Sequence, residues 1–185
     1  MGVNAELARI FGSDIDAIHL APLGTTLPTE IDGVLDPAFE DVGWLSDDGV
    51  TESLTGSVEK KRGHQGNGVV RTRISEPGTT VTFSALESKA QTMGLRYVEK
   101  TSTVTAGVRK TTRGPGQRIT ARAAVLDFYD ADETTVKERY IIPRLEIAPN
   151  GDRVLNNADI ATLPFIGEII GEYTHLATDL EETGA

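Results

Sequence analysis

Apolar and polar residues alternate along much of the chain, and a period of two predicts strands. In "TTVTFSAL" (79–86), Val81, Phe83 and Ala85 fall on one face and Thr80, Thr82 and Ser84 on the other. "TSTVTAGV" (101–108) sets Val104, Ala106 and Val108 against Thr103 and Thr105, a second half-buried strand. A less regular alternation runs through "GVTESLTGSV" (49–58), where Val50, Leu54 and Val58 share a face with Glu52. "QRITARAAVLDFY" (117–129) and "TVKERYIIPRLEI" (135–147) are longer apolar runs, and the "DADET" between them suits a turn joining an antiparallel pair. Pro143 has no N–H for a ladder, which predicts an edge position or a bulge. One more strand, "IATLPFIGEII" (160–170), follows the turn signal "APNGD".

Helical spacing occurs once, in "SKAQTMGLRYV" (88–98), where Leu86, Ala90, Met93 and Tyr97 share a face. Ser88 followed by Gln91 has the form of a capping box, while Gly94 weakens the helix by ~1 kcal/mol relative to alanine. Residues 1–15 read as an N-terminal arm and 171–185 as a mobile acidic tail. Loop composition marks 21–37, 58–72 and 109–118. The last two are basic, and long loops inside a compact domain are usually functional. The 185 residues show no composition break and no repeat, so one domain is expected.

Charge changes the picture. Residues 1–59 hold 1 basic and 12 acidic residues, 60–122 hold 13 and 3, and 123–185 hold 4 and 13. An acidic molecule of net charge −10 thus carries a strongly basic middle third. Blocks of opposite sign can pair within the fold or between copies. There is no cysteine, so neither a disulfide framework nor a Cys-based zinc site is available. The N-terminus lacks the basic and apolar regions of a signal peptide. No segment approaches the ~18 apolar residues of a membrane span, so a soluble protein without a membrane partner is expected.

Catalytic and cofactor patterns are missing. His19, His64 and His175 stand far apart without metal-ligand spacing, and the carboxylates of 14–17, 46–49 and 130–133 lack the EF-hand frame. There is no GxSxG elbow, and a thiol nucleophile is excluded. "GHQGNG" (63–68) matches neither a dinucleotide fingerprint nor a P-loop, because a strand-like run rather than a helix follows it. The reading is therefore no metal, no cofactor and no enzyme. Nonspecific nucleic-acid binding through the two basic loops stays open, although a pI near 4.8 and the lack of aromatics in either loop speak against it.

From 36 to 88, "DPAFEDVGWLSDDGVTESLTGSVEKKRGHQGNGVVRTRISEPGTTVTFSALES", the sequence resembles the major tail proteins, or tail tube proteins, of long-tailed non-contractile bacteriophages, especially those of actinobacteria. "APLGTTLPT" before it, and "ERYIIPRLEI" with "GDRVLNNADIATLPF" after it, extend the resemblance to roughly 17–170. The resemblance implies a mainly β fold of two packed antiparallel sheets, a sandwich or barrel, flanked by one α-helix with extended loops and terminal arms. It further implies hexameric rings stacked into the tail tube, through which genomic double-stranded DNA passes. A long loop between early strands would reach the next ring. The implied partners are other copies of the chain and the tail terminator, distal tail and tape-measure proteins, in the virion tail and, during assembly, the host cytoplasm.

On that reading the contacts between copies would use Lys60, Lys61, Arg62, His64, Arg71 and Arg73 of one basic loop and Arg109, Lys110 and Arg113 of the other. These would face the acidic Asp47, Asp48 and Glu52. Two alternatives use the same loops, a head-tail joining or tail-completion protein and a nucleic-acid-binding β domain.

Overall fold

The computed structural model describes residues 7–180. The predicted alternation is cleanest in β9 (Leu163–Ile169), where Leu163, Phe165, Gly167 and Ile169 are buried and the residues between them are half-buried. β9 lies between β4 (Val69–Ala85) and β8 (Lys137–Pro149), antiparallel to both, and Phe165 meets Phe83 with ring centroids 5.4 Å apart. A Cβ on Gly167 would stand 2.7 Å from Cδ1 and 2.8 Å from Cγ of the fully buried Leu145. Glycine is thus what lets β9 pass over that leucine. Gly167→Ala is expected to cost ~1–3 kcal/mol through overpacking, read as a lower urea midpoint. An unchanged midpoint would show that Leu145 moves aside freely.

Among the described residues the main sheet has eight strands. Its order is β2 (Glu40–Asp41), β1 (Ala17–Ala21), β7 (Thr120–Tyr129), β8, β9, β4 and β3 (Leu45–Arg62), with β10 (Thr174–Ala177) added to β8. β2 and β3 occupy opposite edges, yet only Val42, Gly43 and Trp44 join them. Three residues bridge roughly 13 Å at ~3.3 Å per step, so the sheet must curl until its edges approach. The hydroxyls of Tyr140 in β8 and of Tyr173 cross the resulting gap and donate to the Glu52 carboxylate of β3 at 3.4 and 2.9 Å. One core fills the space, with Ile18, Leu20, Leu126, Ile142, Leu145 and Phe165 among its buried members.

The fold is therefore mainly β, with two antiparallel sheets and one helix, and it matches the sandwich form of the expectation. It is not a closed barrel: β2 has two residues, too few to zip against β3. The second sheet is the hairpin of β5 (Glu99–Thr105) and β6 (Val108–Arg113).

The outer face of the β1, β7 and β8 region is covered by the loop 22–39. Arg139 holds it there, donating from Nη1 to the carbonyls of Gly33 at 2.7 Å and Glu30 at 3.2 Å, while its other nitrogens grip Asp127 directly across the ladder. Lys137 adds an ion pair to Asp32. Pro143 sits where β8 shifts register against β7, between the stretches that pair with β10 and β9, so a bulge accommodates it.

Several boundaries differ from the sequence reading. Helix α1 (Ala90–Arg96) buries Thr92 and Leu95 rather than the face through Ala90, and Ser88 and Gln91 form no capping box. The Gln91 amide instead donates to the Leu20 carbonyl at 3.2 Å, and Ser88 accepts from Arg153 at 3.3 Å. Tertiary partners displaced the local motif. The run 101–108 is not one strand, because positive φ at Ala106 (49°) and Gly107 (79°) reverses the chain into the β5–β6 hairpin.

Much of 109–118 is then strand β6. Most of 58–72, read as a loop, is ladder, and only 63–68 turns. In the expected tail, 174–177 is strand β10, while 181–185 lie outside the described residues. From Leu7 onward the N-terminal segment is anchored, since the Ala131 N–H donates to the Ile10 carbonyl at 2.8 Å and Arg9 lies 3.8 Å from Asp130.

Candidate functional site

β4 pairs with β9 only from Thr80 to Ala85. Beyond that point β3 and β4 continue alone as a two-stranded arm, from Leu54 opposite Thr79 to Arg62 opposite Val69. Nine residues at ~3.3 Å give it a reach of about 30 Å. The turn closes with the Gly63 N–H donating to the Gly68 carbonyl at 2.9 Å, and Gly66 (φ 66°) and Asn67 (φ 52°) supply the left-handed conformations it needs. Lys60, Lys61, Arg62, His64, Arg71 and Arg73 all gather at this tip, as the sequence suggested they could. Glu59 is the one acid among them, 3.0 Å from Lys61 and 4.0 Å from Arg73.

The arm has two unlike faces. Val58 lies opposite Ile74, with Val70 on the same side of β4, and these residues are 63, 64 and 76 % exposed. The opposite face carries Glu59 across from Arg73 and Lys61 across from Arg71. An isolated two-stranded hairpin is marginally stable at best in water, so an apolar face left bare marks a surface to be covered.

The second basic group lies elsewhere. Arg109, Lys110 and Arg113 stand on β6, and Arg113 stacks over the Tyr97 ring at 3.7 Å. Val104 and Val108 on this hairpin are also exposed.

Asp47 and Asp48 are at the other end of β3 from the arm tip, in the irregular stretch between Leu45 and Val50. They help line a groove of about 660 Å³, whose walls also include Phe11, Asp16, Trp44 and Phe128. Among the described residues, seven carboxylates and no basic side chain line it. The Glu87 carboxylate accepts from the Trp44 N–H at 2.9 Å, which holds its pKa below the ordinary range, and Lys89 at the rim lies 3.4 Å from Glu87 and 3.9 Å from Asp41. Burial pushes the Asp16 carboxyl up, against a backbone hydrogen bond from Tyr129. Asp47 and Asp48 make no hydrogen bond or ion pair among the described residues.

Ser46, nine-tenths buried in the groove wall, has an Oγ with no hydrogen-bond partner among the described residues. Sequence reasoning missed the groove as a unit, because Phe11, Asp41, Glu87, Phe128 and Glu138 are distant in the chain.

Glu52 stands apart from both poles. It is exposed, lies across the ladder from Val81, and accepts from the Tyr140 and Tyr173 hydroxyls. Burial and the Glu52 charge push the Tyr140 hydroxyl pKa up, and the hydrogen bond to Glu52 does the same for Tyr173. Both tyrosines therefore stay donors through the neutral range, and Glu52 acts as a clamp between layers.

Among the described residues no group of three His, Asp or Glu side chains is placed to hold a metal ion, and no helix is long and apolar enough to cross a membrane. No curated protein matches the sequence. A family model described as phage tail tube protein matches residues 1–178.

Proposed function

The chain belongs to the phage tail tube protein family, and from that premise we propose that it forms hexameric rings that stack into the conduit for the genome. The family makes it a structural component of a virion tail that assembles with copies of itself. The observation that supports stacked rings is the β3–β4 arm, which projects about 30 Å past the sheet with an exposed apolar face. Such an arm is completed by a neighbour. β3 pairs only with β4 among the described residues, so its outer edge is free along its length to meet a neighbouring sheet. Closing that edge within a ring removes the aggregation hazard of a long unpaired strand.

The DNA constrains where the cations go. Each phosphate neutralised by Lys or Arg adds to retention, so a wall rich in cations would hold the genome rather than let it slide. The arm tip and the β5–β6 hairpin therefore face subunit interfaces or the tube's exterior, and acidic side chains supply most of the lumen charge. Its further partners are the tail terminator, distal tail and tape-measure proteins, and assembly takes place in the host cytoplasm.

Electron microscopy of the purified protein at rising concentration tests this. Rings and tubes are expected, with tube yield falling as salt is raised, because pairs between copies are screened. A single ring that never stacks would favour a completion protein, and steeply salt-dependent DNA binding without assembly would favour a nucleic-acid-binding domain.

A further inference from the structure

Two poles of opposite sign lie at the two ends of one strand. The arm tip holds five Lys or Arg side chains against one Glu between residues 59 and 73, and the groove at the start of β3 is lined by seven carboxylates. From Asp48 to Arg62 is fourteen residues of strand, about 45 Å at ~3.3 Å each, so one chain cannot bring its own tip into its own groove. We infer that the groove is a socket for the arm tip of a second copy of this chain, a contact that rests on the stacking proposed above and gives it an address.

Three observations support the assignment. The charges are complementary, and Asp47 and Asp48 have no partner within the described chain. The Ser46 Oγ is buried in the groove wall without a hydrogen bond among the described residues, so this wall carries an unpaired hydroxyl at a cost in stability. The volume, about 660 Å³, admits several long side chains. Lys60, Lys61 and Arg62 reach the Asp47–Asp48 rim. Because the two surfaces differ and lie at opposite ends, the contact is heterologous. Repeated with a rotation that does not close, such a contact propagates head to tail.

Two experiments test this. First, Asp47→Lys with Asp48→Lys is expected to abolish tube growth while the monomer's melting curve is kept. Lys60→Glu, Lys61→Glu and Arg62→Glu together should do the same, and the chain carrying all five changes should assemble again. Rings that persist without stacking fit the assignment. Second, the cysteine-free chain allows clean labelling. Ser13→Cys at the groove and Gln65→Cys at the tip, combined in one chain and treated with a short bis-maleimide, should give a covalent ladder of increasing length.

Tubes that survive reversal of the groove charge overturn the inference. So does a five-change chain that stays dispersed, or the absence of a ladder in intact tubes. If the parent chain forms neither rings nor tubes, the failure lies instead with the tube reading.

Discussion

A chain lacking Lys60–Gly68 is expected to fold and melt like the parent and to form no tubes. The hydrogen bonds and ion pairs of these residues stay within the arm: Gly63 to Gly68, Arg62 to the Asn67 carbonyl, Lys61 to Glu59. All but Gly63 are exposed, and surface changes away from special features usually alter stability by no more than about 0.5 kcal/mol. The deletion leaves Val69–Thr72 as a four-residue connection between Glu59 and Arg73, which already face each other in the ladder. What is lost is reach and positive charge. Circular dichroism melts followed by negative-stain microscopy check the result. Normal tube growth would remove the arm from any stacking role, and a collapsed melt would make it part of the fold instead.

Arg139→Leu should have the largest effect on the monomer, a loss of ~3–5 kcal/mol, because it strands a buried charge. Asp127 and Arg139 are 6 % exposed each, and Nη2 lies 3.0 Å from Oδ2 in a two-pronged pair. The change also takes the donor from the Gly33 and Glu30 carbonyls, which releases the loop 22–39 from the sheet. Urea unfolding measures the loss, and limited proteolysis should cut the variant within 22–39 under conditions that spare the parent. Replacing both partners by leucine should recover much of the stability, since an apolar pair of similar volume is often neutral. A double variant as weak as the single one would show that the loop anchor, rather than the stranded charge, carries the cost.

How much of this was legible depended on whether burial imprinted a pattern. β9 and the last third of β4 each bury one face, and their alternation could be read residue by residue. The arm buries neither face, so its Lys, Arg, Thr and Gly left no period of two and looked like loop composition. β10, four residues long and mostly exposed, was invisible for the same reason. At 101–108 the pattern misled, since Val104, Ala106 and Val108 keep their alternation straight across a chain reversal. The basic residues of the arm tip were legible as a group because they are neighbours in sequence. Their acidic counterpart was only half legible: Asp47 and Asp48 were visible, but the groove exists only once β7, β8 and the N-terminal segment fold around them.

Trp44, the sole tryptophan of the chain, lies on the short link between the two sheet edges, lines the groove and is 68 % exposed. Its indole emission therefore reports polarity at the socket without any added dye, and seating of an incoming arm would drive it to shorter wavelength in real time.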